Sequence, residues 1–220
     1  MVLMRIKNEP MRFWYRLAKN IIHLFLKILY RLSAEGIENI PLKGGVIIAS
    51  NHASFLDPTC VGVFVPRELT FFAKKELFSI PVFRSAITYV NALAVDRRGF
   101  SRSALQEVIE RLNEGWAVLI FPEGTRTKTG EFLEPKRGPG MIALVTNVPI
   151  VPCWVEGSFR AKVFRSKITV HFLKPFKPSE IEAETKKEQY LLVSKRIMYD
   201  INNIYKMHLA LRNKAGSHEK

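Results

Sequence analysis

Asp57 follows His52 by five positions in the stretch Ser50-Asn51-His52-Ala53-Ser54-Phe55-Leu56-Asp57-Pro58. If the residues between them form a turn or a first helical turn, the carboxylate can reach the imidazole. A carboxylate on one ring nitrogen holds a single tautomer and stabilises the imidazolium. The other nitrogen is then free to take a proton from a substrate hydroxyl. Just upstream, Val46-Ile47-Ile48-Ala49 is a short β-branched run bounded by Gly44 and Gly45, which predicts a buried strand. The pair therefore sits at a strand's carboxyl end, where open α/β sheets form their ligand crevices.

Three further apolar runs end in charge in the same way. Thr70 to Ala73 leads into Lys74-Lys75-Glu76, Ala92 to Val95 into Asp96-Arg97-Arg98, and Trp116 to Phe121 into Pro122-Glu123-Gly124-Thr125-Arg126. Between the runs, helices are predicted after Asp57-Pro58 through Phe64, from Pro81, from a capping box at Ser103 to Gln106 up to Gly115, and from about Pro139 to Asn147. Strands alternating with helices, and polar residues gathered at one set of strand ends, describe an α/β domain with one crevice. Ser33 to Gly45 reads as a polar approach to the first strand, and Thr127 to Gly138 as a long polar loop beside the crevice. Val148 to Val155 carries Pro149 and Pro152, which predicts an edge strand or a strand beginning. Lys167 to Phe172 is a sixth strand. Ser179 to Glu182 reads as a capping box before a terminal helix with its apolar stripe on Leu191, Leu192, Ile197, Met198, Ile201, Ile204, Tyr205 and Leu209.

The 220 residues allow one α/β unit with an appendage, and a 47% hydrophobic fraction beside a net charge of +14 argues for a folded body with a positive surface and anionic partners. Cys60 and Cys153 make neither a disulfide framework nor a metal spacing. The appendage is residues 11 to 32. Arg12, Arg16, Lys19, Asn20, His23, Lys27 and Arg31 recur by threes and fours among Phe, Trp, Tyr, Leu and Ile, the pattern of a helix with a basic stripe and a wide apolar face. Recurring charge excludes a membrane span, and Lys27 interrupts any signal-peptide core. Two readings remain: a helix lying in a membrane interface, and one docked on the domain with its cationic edge in water. Trp14, Phe13 and Phe25 beside Lys and Arg favour the interface.

Competing signatures carry little. Gly138-Pro139-Gly140-Met141-Ile142-Ala143 has the letters of a dinucleotide fingerprint, but it follows a charged loop and has Pro139 in the tight turn. No phosphate-cradling loop ending in Lys-Ser or Lys-Thr and no Gly-x-Ser-x-Gly elbow occurs. His52, Asp57 and Glu123 form a conceivable metal triple, yet the five histidines show no paired metal spacing and no metal is expected. Nucleic-acid binding fits the charge but not the aliphatic surface beside it.

Four ordered blocks resemble those of the glycerolipid acyltransferases. Asn51 to Asp57 is similar to the family's His-x4-Asp motif, and Lys74-Lys75-Glu76-Leu77 with Val95-Asp96-Arg97 to its second block. Phe121 to Arg126 is similar to the third, and Val148 to Pro152 to the fourth. The bacterial lysophosphatidic acid acyltransferases are the nearest branch. Arg84 stands where the family commonly has Gly, and Pro139 where it has a small residue. The resemblance implies an α/β fold with a single mixed central sheet flanked by helices over residues 33–220, preceded by an amphipathic membrane-interface helix over 1–32. It implies transfer of an acyl chain, without a cofactor, from an acyl carrier protein or coenzyme A thioester to the sn-2 hydroxyl of lysophosphatidic acid. His52 and Asp57 would be catalytic, Arg126, Arg97, Lys74 and Lys75 would hold the acceptor phosphate, and Glu123, Gly124 and Thr125 would shape the loop and support the oxyanion. For Glu123, pairing with these arginines and contact with substrate are both open. The implied place is the cytoplasmic face of the cell membrane, on an anionic surface. Acylation of another lysolipid or a polyol, and a non-catalytic basic membrane-binding module, are the alternatives.

Overall fold

The computed structural model describes residues 11–74, 76, 79, 84, 89, 91–95 and 102–217. Its centre is β2, Val46–Ser50, buried at every position. It pairs in parallel with β5 (Ala117–Ile120) on one side and β6 (Ile150–Glu156) on the other. Beyond β5 come β3 (Leu69–Lys74) and β4 (Ala92–Val95), also parallel. Beyond β6, β7 (Thr169–Phe172) runs antiparallel, with β1 (Ser33–Glu35) parallel to it at the edge. The sheet is thus mixed, in the order β1-β7-β6-β2-β5-β3-β4.

Both faces of the sheet are covered, which explains why its strands read as continuous apolar runs. Alternation survives in where the side chains go. Val46 and Ile48 of β2, Ala117 and Leu119 of β5, and Val151, Cys153 and Val155 of β6 enter one core with α1 (Phe13–Tyr30) and α2 (Asp57–Gly62). Ile47, Ala49, Val118, Ile120, Ile150 and Trp154 enter the other, with α3 (Arg102–Asn113), α4 (Arg137–Thr146) and α5 (Lys186–Ser217). Gly140 belongs to that second layer. A Cβ there would stand 1.9 Å from the Tyr190 carbonyl oxygen, and the Gly140 N–H donates to Ser194 Oγ at 2.9 Å. The glycine lets α4 and α5 touch, a packing reason for the fingerprint-like letters.

Several expectations need correction. Ser33 to Gly45 contains the edge strand β1, held by β7. β6 is no edge strand, because it lies between β2 and β7. Its prolines are tolerated for local reasons: Pro149 precedes the strand and gives its carbonyl to Ile47, and Pro152 faces Leu173, just past the end of β7, whose N–H it accepts. The missing donor of Pro152 therefore falls where the ladder has ended. Ser179 lies inside a 3₁₀ turn, Pro178–Glu180, in which Glu180 reaches back to the Lys177 N–H. The terminal helix starts later, where Thr185 Oγ1 accepts the Glu188 N–H.

The first helix is docked by its polar edge. Arg12 pairs with Glu68, Lys19 Nζ donates to the Val65 carbonyl, His23 meets the Phe64 ring edge-on, and Tyr15 and Leu26 are buried. Burial lowers the Lys19 ammonium to about 8. Arg12 and Lys19 thus turn toward the protein and are half-buried, contrary to the single outward basic stripe. The opposite side, with Phe13, Trp14, Leu17, Ile21, Leu24, Phe25 and Ile28, is exposed. Among the described residues no helix is long and apolar enough to cross a membrane.

Candidate active site

Asp57 opens α2 and turns its carboxylate back toward the chain entering the helix. One oxygen, Oδ2, accepts from His52 Nδ1 at 2.9 Å and from the Ala53 and Ser54 N–H groups, each at 2.7 Å. Asp57 is wholly buried, and His52 stacks on Phe121 with ring centres 3.9 Å apart. The imidazole is therefore fixed by a carboxylate on Nδ1 and a ring on one face. With Nδ1–H donating, Nε2 is the basic nitrogen.

Its backbone is held as firmly. Asn51 extends the pairing of β2 with β6 past the strand end, its side chain accepting from Val155 N at 2.8 Å and donating to Val155 O at 3.3 Å. The His52 N–H donates to Glu123 Oε1 at 2.8 Å, and the His52 carbonyl accepts from Thr127 N at 2.9 Å. Glu123 is only 2% exposed and takes the Leu133 N–H on its other oxygen at 2.8 Å. Burial raises its carboxyl above the usual range, and the Leu133 and His52 N–H groups oppose that rise. Among the described residues Glu123 serves as a brace: two backbone donors use both carboxylate oxygens, tying the loop after β5 to the loop after β2.

Gly124 has φ +68°, the left-handed region that a turn here requires, and a Cβ would meet the Lys136 side chain at 2.9 Å. Its N–H donates to the Phe121 carbonyl at 3.0 Å, so it closes the turn and is not a free donor for an oxyanion. Thr125 is exposed in the same turn. Arg126 lays its guanidinium carbon 3.3 Å from the centre of the Phe55 ring, which is itself exposed. Arg97 and Lys75 lie outside the described residues, as does most of the segment after Pro81, and for Lys74 the description stops at the backbone ending β3.

Sequence reasoning missed Asn51, Phe121 and Lys136 as parts of the site. A sign of the last is two cations, Lys136 and Arg137, at the start of α4 with no acidic residue in its first turn, against the helix dipole. Of the three residues of the conceivable metal triple, Glu123 spends both oxygens on backbone donors and Asp57 Oδ2 serves three donors. Cys60 and Cys153 are buried; burial pushes the Cys60 thiol up to about 12 and raises that of Cys153 as well. Neither thiol is a nucleophile at neutral pH.

An acyltransferase family model matches residues 31–156, a span that holds the His52–Asp57 pair, the Glu123 brace and Arg126. The chain belongs to the acyltransferase family. This acyltransferase is 33% identical over 149 residues to the 1-acyl-sn-glycerol-3-phosphate acyltransferase of Bacillus subtilis (strain 168), covering 67% of this chain and 74% of that one. It is 34% identical over 147 residues to the enzyme of that name from Cocos nucifera, where the match covers 63% of this chain and about half, 48%, of the relative. Its fold is similar to the crystal structure of the 1-acyl-sn-glycerophosphate (LPA) acyltransferase PlsC from Thermotoga maritima, with a TM-score of 0.70 and 27% identity over 87% of this chain and 80% of that one.

Proposed function

We propose that this acyltransferase moves an acyl chain from an acyl carrier protein or coenzyme A thioester to the sn-2 hydroxyl of lysophosphatidic acid, forming phosphatidic acid for phospholipid synthesis. The observation that carries the reading is His52 held at Nδ1 by buried Asp57, which leaves Nε2 as a base at the carboxyl end of β2. The names of the relatives supply the acceptor class. The acceptor hydroxyl gives its proton to Nε2 while its oxygen bonds to the thioester carbonyl carbon. Collapse of the tetrahedral intermediate breaks the C–S bond, and the sulfur leaves with the proton returned by the imidazolium. No acyl-enzyme is required, in keeping with the two inert cysteines.

Arg126 is the described residue best suited to the acceptor phosphate, because a guanidinium stacked on Phe55 keeps its fork free for bidentate contact. Arg97, Lys74 and Lys75 are proposed to share that role. Residues 1–32 are proposed to hold the enzyme on the cytoplasmic face of an anionic membrane. The outer face of α1 is apolar, Trp14 being 66% exposed, and it is flanked by exposed Arg16 and Lys27. Burying that face removes apolar area from water, and the flanking charges add electrostatic attraction.

The test offers the purified enzyme lysophosphatidate, a phosphate-free monoacylglycerol and other lysolipids with both thioester carriers. Lysophosphatidate is expected to be the preferred acceptor. Arg126→Ala should lower kcat/KM for it by about tenfold to a hundredfold, the size of a lost charge-assisted contact, with the thioester KM unmoved. Equal losses on the phosphate-free acceptor would make Arg126 a loop residue and remove the phosphate reading.

A further inference from the structure

The connection from β6 to β7 leaves the sheet at the same end as the His52 loop, because β6 runs parallel to β2 and ends at Glu156. It carries Arg160, Lys162, Val163, Phe164, Arg165 and Lys167, all exposed, and no Asp or Glu occurs between Glu156 and Glu180. Phe164 combines two unfavourable features: its φ is +61° and its ring is 68% exposed. An aromatic residue in the left-handed region is strained, and here no buried packing offsets that strain within the folded chain.

The loop is built onto the carboxyl end of α1. Phe164 N–H donates to the Leu29 carbonyl at 2.6 Å and Ile168 N–H to that of Tyr30 at 3.1 Å, satisfying two carbonyls of the last helical turn. Arg31 donates to the Arg165 carbonyl at 2.7 Å, and Ala161 packs into the same core as Leu26 and Tyr30. The amino end of α1 is fixed elsewhere, at Glu68 just before β3, so the helix runs from the far end of the sheet to the active-site end. There the loop that carries Val163 and Phe164 adjoins Leu29 and Tyr30 of its last turn.

We infer that the Arg160 to Lys167 loop is a second membrane-contact element, with Val163 and Phe164 entering the acyl boundary of an anionic bilayer and the four basic side chains meeting its head groups. This rests on the membrane reading of α1 and extends it: the added contact lies on the active-site side, so the bound enzyme leans its crevice toward the leaflet that holds the lysolipid. Charge complementarity, and the loop's attachment to the last turn of α1, favour a bilayer over an acidic carrier protein, which would need the cations but not the exposed aliphatic and aromatic groups.

In the test, single cysteines are introduced into the full chain by Phe164→Cys, by Leu24→Cys on the outer face of α1, and by Glu110→Cys on α3 in the opposite layer. Each is labelled with an environment-sensitive fluorophore, the native Cys60 and Cys153 being buried. With vesicles of phosphatidylglycerol and phosphatidylcholine, labels at 164 and 24 should shift to the blue and be quenched by a lipid-borne quencher, while the label at 110 stays aqueous. Insertion at 24 with an aqueous label at 164 overturns the inference and leaves the membrane reading of α1 intact; no insertion at either overturns both. A response at 164 to soluble acidic carrier protein and not to vesicles gives the loop to the donor and also overturns it. Phe164→Gly separates membrane contact from packing. Relief of the left-handed strain should keep or raise the thermal midpoint, while vesicle affinity falls by about three- to tenfold. Lower thermal stability with unchanged affinity would make Phe164 a packing residue and defeat the inference.

Discussion

His52 and His171 both sit against carboxylates, and the difference between them separates a base from a structural joint. His52 meets one carboxylate at Nδ1 and has 17% of its side chain open to solvent. His171, in β7, is 2% exposed and faces a carboxylate at each nitrogen, with Nδ1 3.2 Å from Glu35 and Nε2 3.2 Å from Glu156. It is stacked on Trp154, and His208 of α5 meets its edge, while Arg212 of the same helix pairs with Glu156. Catalysis needs a nitrogen left over for the substrate. His52 has one, and His171 has spent both on joining β1, β6 and α5. Proximity of a His to an acid is thus insufficient to mark a base; what decides is the unspent nitrogen beside a crevice.

The sharpest way to break this contrast is to remove each histidine in turn. His52→Ala should lower kcat/KM by about 10² to 10⁴ with the thermal midpoint nearly unchanged, as expected for loss of a general base. A rate within a few-fold of the parent would remove the mechanism. Asp57→Asn should cost less, about tenfold to a thousandfold, because the amide still accepts from the loop N–H groups but supports the wrong tautomer and no imidazolium. If Asp57→Asn proved as active as the parent, the carboxylate would be only a loop brace.

His171→Ala reverses the pattern. Deleting a buried ring bonded on both sides should destabilise the fold by about 2–4 kcal/mol, some 5 °C or more in thermal midpoint, while activity per folded molecule stays within a few-fold. A deep loss of turnover at unchanged stability would show that the contrast between the two histidines is wrongly drawn.

Much of the fold was legible because it rests on local periodicity. The runs Val46 to Ala49, Thr70 to Ala73, Ala92 to Val95 and Trp116 to Phe121 are strands in the structure, the third with the same bounds and the others differing by one residue at one or both ends. The errors fall where a partner decides. Pro152 reads as an edge residue until β7 is seen to stop beside it. Ser33 to Glu35 carries no strand pattern and is extended because β7 offers a ladder. The polar stripe of α1 reads as solvent-facing, yet Arg12 and Lys19 turn inward because Glu68 and the Val65 carbonyl wait there. Thr185-Lys186-Lys187-Glu188 fits a capping box as well as the Ser179 stretch does, and only packing chose between them.

By itself the sequence determined the alternation of strands and helices, the gathering of charge at strand ends, the existence of the first helix, and the His52–Asp57 pair, whose separation of five residues lets one local turn bring imidazole and carboxylate together. The tertiary structure alone decided how that pair is used. Glu123 lies 71 residues from the His52 N–H it braces, and Asn51 is held by Val155 104 residues away. Glu35 and His171 meet across 136 residues. Contacts of that range leave no periodic trace in either partner, because each residue obeys its own strand or turn and the pairing exists only once the sheet has set the order of its strands.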